Sequence, residues 1–526
     1  MRPARAALSG RQRGQALVFI SVTTLIILLS MLAMFSMGQL ASHKTKLQNT
    51  ADAVAYSVAL TQARDLNFTA YMNRATIANQ VAVAQIVSLT AWARQLHDMY
   101  SGSYVSIADT LANMSTLSFL WSVPSNVAKP VASGLKSAFD AVGPVLVKIL
   151  DLLIDALRVA SMGYHLGMVV TIPQTIDDVT AANDPNAQLS ILGYVGAAYG
   201  ILQHTLFLKT LSPSGDSDGD KRMGKVTQAS EDKFYKNRTL ASIYPLPMLI
   251  DPIRLFTPGA GPLVMFRFHA GGSVLETASG NANQNLKSFD GADASGLFVI
   301  FCITISILGI PVPIPFPLPP LPAGRGGAAA GDYPTNVLAP AQEIEQRVLD
   351  NSAIESFPWN EKYGGAWYHP YTATTFWQKV GEGPGTNMDT RAGLRDYYDV
   401  KDNASGTTSN QATSATTGTN YRNDVAPYFI LEFERSTTTI STSSTGSFRI
   451  GGGSGGQLWL EDRSVGNKLK ALTKAEAYFK RPTDLFPRGD GKTEYGSVYN
   501  PYWQARLTAN SILEQAASFL GSAVFP

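Results

Sequence analysis

Gly452-Gly453-Ser454-Gly455-Gly456 has the G-x-S-x-G spacing of a nucleophile elbow, where a serine on a sharp strand-to-helix turn attacks an acyl group. That chemistry needs a helix directly after the serine. Here the string is a glycine run between SFRI and QLWLE and reads as a hairpin. Gly491-Lys492-Thr493 matches the end of a phosphate loop, but Phe486 stands where its first glycine belongs and no strand leads into it. Asp216, Asp218 and Asp220 are spaced as calcium ligands. Lys221 replaces the turn glycine of such a loop and Thr227 its closing glutamate, so a solvated turn is the plainer reading. His43, His97, His165, His204, His269 and His369 form no i,i+4 pair and no HExxH. The sequence therefore predicts no enzyme, with no catalytic, cofactor-binding or metal residues and no cofactor.

Composition narrows the class further. Net charge is +2 over 526 residues, so no global field points to nucleic acid. Charged residues are 16%, below the usual quarter, and Cys302 is the single cysteine. A disulfide framework and a cysteine metal cluster are both excluded. A core of sufficient size can replace disulfides in a chain this long.

The strongest signal lies at the start. Gln15 to Ser42 holds no charged residue, and the apolar core from Ala16 to Met37 is broken only by Ser and Thr. Roughly 20 apolar residues cross a bilayer, whereas a signal peptide uses about 7–15. An uncleaved anchor is expected, with Ala16, Leu17, Val18, Phe19, Leu25, Ile26 and Leu29 facing lipid. Arg2, Arg5, Arg11 and Arg13 precede it, while His43, Lys44 and Lys46 follow. The bias keeps the amino-terminus in the cytoplasm and places the bulk outside the inner membrane.

Helical spacing continues past the span. Leu47, Ala51, Val54 and Val58 recur at intervals of one helix face. One helix could leave the bilayer and run on as a rod; Ala16 to Gln62 would measure roughly 70 Å at about 1.5 Å per residue. The stripe either packs on the chain's own domain or serves as an assembly face for neighbouring subunits. Both readings stay open at this stage.

Arg13-Gly14-Gln15-Ala16-Leu17-Val18, the apolar span, and Leu47-Gln48-Asn49-Thr50-Ala51-Asp52-Ala53 together resemble the amino-terminal region of TadG-like Flp pilus-assembly proteins of the bacterial tight-adherence system. Tyr499-Asn500-Pro501-Tyr502-Trp503-Gln504-Ala505-Arg506-Leu507 resembles a closing motif of the longer members. The resemblance implies a non-enzymatic, membrane-anchored assembly component whose partners are pilus-assembly proteins or pilin; oligomeric state stays unassigned. Pilin-type signals cut after glycine and carry Glu five residues on. Here that position is Phe19, so Gly14–Gln15 is expected to stay uncut. Some relatives carry a von Willebrand A-type domain with a D-x-S-x-S metal site. Asp293–Leu297 and Asp462–Gly466 come nearest, and both lack the final serine. A minor fibre subunit, and a tethered adhesin or enzyme, remain alternatives.

The expected class is α+β, in five stretches: a basic tail (1–14), the transmembrane helix (15–42), a helical region (43–210), a Pro/Gly-rich strand and loop region (211–331), and an aromatic, Thr/Ser-rich α+β region (332–526). Asn67, Asn73 and Asn79 should make interior or inter-helix hydrogen bonds. Leu297–Ile310 reads as a buried strand leading into an extended proline arm, Pro311–Pro322, and Ala323–Gly331 as a linker. A second membrane contact or a partner-binding arm are other uses of the proline segment. WNEKYGGAWYHPYTATTFW, with Trp359, Trp367 and Trp377, reads as core of a small domain or as a sugar-stacking cluster. PYFILEFER reads as a strand, and Leu469–Tyr478 and Trp503–Leu520 as closing helices.

Overall fold

A computed structural model describes residues 12–101, 118–211, 222–230, 238–243, 264–277, 288–307, 310–317, 321–331, 396–400, 425–440, 468–482 and most of 485–518. The chain runs α1 (Gln12–Ser101), α2 (Ser118–Asn183), β1 (Ala187–Leu189), α3 (Ile191–Phe207), β2 (Leu208–Leu211) and α4 (Arg222–Ser230). It continues through β3 (Arg238–Ile243), β4 (Val264–Thr277), β5 (Ser288–Ile307), β6 (Ile310–Pro317), β7 (Leu321–Gly331) and β8 (Tyr397–Val400). It closes with β9 (Phe429–Ser436), β10 (Lys468–Phe479) and β11 (Trp503–Leu507). The class is α+β, as expected; the greater part of α1, and α2 and α3, fall within residues 43–210.

The chain forms two compact units that do not follow the sequence in order. Unit 1 takes 1–71, 162–209 and 400–526; unit 2 takes 72–161 and 210–399.

In unit 1, β1, β9, β10 and β11 form an antiparallel sheet in that order. Two of these strands correct the sequence reading. Lys468–Phe479 is rich in Lys, Ala and Leu, good helix formers, yet Leu469, Ala471, Ala475, Ala477 and Phe479 alternate with polar residues. Pairing with β9 on one side and β11 on the other decides in favour of the strand. Trp503–Leu507 is likewise a strand, paired with Ala475–Phe479, and helix appears only from Ile512.

α3 covers the edge of β9 that the short β1 leaves bare. Ser190 begins it, donating its backbone N–H to Glu432 O at 2.9 Å and accepting from Gly193 N–H at 3.0 Å as an N-cap. The helix then lies so close to the strand that only glycine fits. A Cβ on Gly193 would stand 2.2 Å from Glu432 O, and one on Gly196 2.1 Å from Ile430 O. An open strand edge is an aggregation template, and here a glycine-faced helix closes it.

In unit 2, β3, β4, β5 and β6 form an antiparallel sheet, and β7 also pairs with β5. The segment read as a proline arm is therefore a paired strand. Pro311, Pro313, Pro315 and Pro317 stand opposite Ser306, Thr304, Cys302 and Ile300. Proline at every second position leaves the intervening N–H groups all on the β5 side, which an edge strand tolerates. Ala323–Gly331 is not a linker but most of β7. Ala328 and Ala330 are buried with Val83, Ala84, Val87 and Ala91 of α1 and Val147 of α2. Asp293–Leu297 lies in the middle of β5 rather than at a strand end. The tryptophan cluster, the Gly452–Gly456 string, the Asp216–Asp220 loop and Gly491–Thr493 lie outside the described residues.

Gly196→Ala should destabilise unit 1 by at least about 2 kcal/mol, because the strand carbonyl cannot recede without breaking the sheet. Gly167→Ala, with nothing within 4 Å of its Cβ, should be neutral or slightly stabilising. Thermal unfolding of the two purified variants compares them directly.

Candidate functional site

α1 carries an apolar, exposed opening and a buried continuation. Ala16, Leu17, Val18, Phe19, Leu25 and Ile26 are exposed and Leu29 is half-buried. Among the described residues this is the one helix long and apolar enough to cross a membrane. Beyond it, Leu47, Ala51, Val54 and Val58 have no exposed surface. Of the two packings the sequence left open, the structure contains the internal one. The stripe lies in a core with Met168, Ile172 and Ile176 of α2, Phe429, Leu431 and Phe433 of β9, and Ala471 and Ala475 of β10.

Beside the stripe, a polar row on α1 is matched to the strand backbone. Lys44 Nζ donates to Lys470 O. Gln48 Nε2 donates to Leu472 O at 3.3 Å, and Asp52 accepts from Thr473 Oγ1 at 2.7 Å. Gln62 Nε2 donates to Pro427 O at 2.8 Å while its Oε1 accepts from Ala477 N–H at 3.1 Å. Asn67 does the same at the edge strand, accepting from Trp503 N–H at 3.0 Å and donating to Trp503 O at 2.9 Å. From Lys44 to Gln62 the helix rises roughly 27 Å. From Lys470 to Ala477 the strand advances roughly 23 Å. The two elements therefore run side by side in register. Asn67 behaves as the sequence predicts, whereas Asn79 bonds to Ala75 O of its own helix. In unit 2, Asn73 Nδ2 donates to Tyr398 O.

Past Val58 the buried face turns polar, with Gln62, Asp65 and Thr69 all fully or nearly fully enclosed. Asp65 Oδ2 accepts from His165 Nδ1 of α2 at 2.6 Å and from His204 Nε2 of α3 at 2.9 Å. Asp65 Oδ1 has no hydrogen-bond partner among the described residues. Sequence spacing missed this cluster because its members come from three helices. A signal was nonetheless present: Asp65 is in phase with the Leu47–Val58 stripe, His165 with Met168 and Ile172, and His204 with Ala197 and Gly200. An ionisable residue on a buried face has to find a partner.

The hydrogen bonds assign protons to the two rings. Gln62 cannot be flipped, because Pro427 O needs a donor and Ala477 N–H an acceptor. Its Nε2 therefore also donates to His204 Nδ1 at 3.1 Å. His204 must carry its proton on Nε2, facing Asp65. His165 meets two acceptors, Asp65 Oδ2 and Thr205 O at 3.3 Å, the latter a carbonyl in the last turn of α3. Both its nitrogens donate, which describes an imidazolium. Burial works against that charge, but the bond and attraction of Asp65 and the Thr205 carbonyl outweigh it and raise the ring above the ordinary histidine value. Burial also opposes the charge on Asp65, and the two histidine bonds overcome it and hold the carboxyl below its usual range.

Two histidines and a carboxylate are also the side-chain types that ligate metals, and these three lie close enough together. The geometry does not fit. Ligands around a zinc ion at about 2.0–2.1 Å stand on the order of 3.3 Å apart. The contacts here are hydrogen-bond distances. A metal on His204 Nε2 would also force a proton onto Nδ1, against the fixed Gln62 amide.

Residues 14–63 match the family described as "Putative Flp pilus-assembly TadE/G-like". The match covers the candidate span, the apolar stripe and the row through Gln62, and it supports involvement in Flp, or tight-adherence, pilus assembly. No curated protein and no solved structure matches the chain.

Val54→Asp places an unpaired charge in this internal core and should cost several kcal/mol. Loss of thermal stability, or degradation in cells, is the expected result. A variant that stays stable yet fails to assemble would instead point to a contact with another subunit.

Proposed function

We propose that this chain is a non-enzymatic, TadG-like component of Flp pilus assembly, held in the bacterial inner membrane by a single span. Its amino-terminus would be cytoplasmic and both units extracytoplasmic, where they meet pilin or other assembly proteins. The observation that carries this reading is the continuity of α1. The family-matched residues 14–63 include an exposed apolar helix and the stretch that enters the core of unit 1, with no break between them.

Mechanically, such an arrangement couples position to shape. The span fixes α1 in the bilayer. Gln48, Asp52, Gln62 and Asn67 then tie α1 to the sheet, so unit 1 is presented at a set rotation and height above the membrane. A flexible linker would leave both undetermined. Rigid presentation suits a scaffold that has to meet other components of one machine.

Deleting the gene should abolish surface fibrils and tight adherence while pilin synthesis continues. Normal fibrils in the deletion strain would remove the assembly role and favour the tethered adhesin or enzyme. For topology, alkaline phosphatase fused after Pro526 should be active; a reporter that works only in the cytoplasm and is active there would reverse the orientation.

A further inference from the structure

We propose that Asp65, His165 and His204 form a proton-dependent latch that fastens α2 and α3 to α1 within unit 1, tightened by a proton on His165 and loosened when that proton leaves. The geometry leaves a neutral His165 no good arrangement. With two acceptors facing it, one of its nitrogens would present a lone pair to Asp65 Oδ2 or to Thr205 O. Asp65 would keep its charge with a single donor, His204, and with Oδ1 still lacking a hydrogen-bond partner among the described residues. His204 cannot supply a second proton, because Gln62 donates to its other nitrogen.

Among the described residues, the groups that act on Asp65 are the two histidines, one from α2 and one from α3, and Asp65 and the Thr205 carbonyl both favour the charged form of His165. The sheet side contributes the Pro427 carbonyl, just ahead of β9, and the Ala477 amide of β10, both engaged by Gln62. The proton on His165 is the one that satisfies both of its acceptors, Asp65 Oδ2 and Thr205 O, at once.

Its direction follows from linkage. His165 holds its proton more tightly in the folded unit, so its contribution is complete below the ordinary imidazole value of about 6.5. Between that value and the raised one, the opening equilibrium should grow about tenfold per pH unit and then level off. Asp65 has the opposite limit: its contribution is present above the usual carboxylate value and is lost as pH falls through the lowered one. Two other unit 1 groups titrate with the reverse sign at the neutral to alkaline side. His43 and Lys44 are both lowered by burial first, so rising pH favours the folded unit at those positions. A loss of protection on alkalinisation cannot come from them. That the latch would respond to the external medium rests on the orientation proposed above; the test does not.

The test uses the full chain in lipid nanodiscs. Hydrogen–deuterium exchange, corrected for intrinsic rates, should show protection of residues 62–71, 162–172 and 197–207 falling as pH rises above neutrality. His165→Gln can still donate one hydrogen bond but cannot titrate, and it should flatten that dependence. An unchanged slope in His165→Gln overturns the latch. Because a variant could misfold, histidine-selective nitrogen-15 labelling of the wild-type chain provides an independent reading. Near pH 6 it should show His165 doubly protonated. A neutral His165 there, or stoichiometric bound zinc whose removal by chelation changes protection, also overturns the proposal.

Discussion

The amides of Gln62 and Asn67 offer strand backbone the same paired donor and acceptor that a neighbouring strand would, and this contact determines how α1 lies on the sheet of unit 1. An apolar stripe alone can slide or rotate on a flat surface at little cost. Two side chains that each engage backbone through both donor and acceptor cannot, since a shift of one turn would leave buried N–H and C=O groups unpaired. Burial of Leu47, Ala51, Val54 and Val58 supplies most of the attraction. The amides supply the register.

The same logic explains the placement of Trp503. Its backbone is held by Asn67, its indole Nε1 donates to Ser497 O at 2.9 Å, and its ring meets Phe207 and Phe479 edge-on. A residue near the carboxyl end thereby closes a unit whose first helix carries the amino-terminal span. Leu47–Ala53 of α1 and Trp503–Leu507 of β11 thus belong to the same unit, one on the helix and the other on the sheet.

Much of unit 1 was legible in the sequence, for physical reasons. The span was legible as an uncharged apolar run, and the helical spacing of Leu47, Ala51, Val54 and Val58 was legible because that face of α1 is buried. β9 was legible because FILEFER is rich in aromatic and β-branched residues. β10 and β11 were not, since Lys, Ala, Glu and Leu favour helix locally and only long-range pairing with β9 overrides them. In β6 and β7, proline and glycine content signalled irregular chain, yet backbone pairing at an edge tolerates alternating proline, and alanine or glycine permits close approach of a neighbouring layer. The Asp65 cluster was hidden by distance: 100 residues separate Asp65 from His165 and 139 from His204.

The basic flank after the span posed an electrostatic difficulty for orientation, because His43, Lys44 and Lys46 weaken the contrast with the amino-terminal arginines. Their surroundings reduce that difficulty. Lys44 donates to the Lys470 carbonyl, and Lys46 stands 3.7 Å from Asp184, which also pairs with the buried Arg435 at 2.7 Å. These lysines belong to the folded base of unit 1 and are partly neutralised there. The four arginines ahead of the span have no acidic residue among them in the sequence. A topology signal counts charges free to be retained by the membrane potential and by anionic lipid on the cytoplasmic side. Lysines held in a folded contact contribute to the stability of unit 1, so their position after the span is compatible with the orientation proposed above.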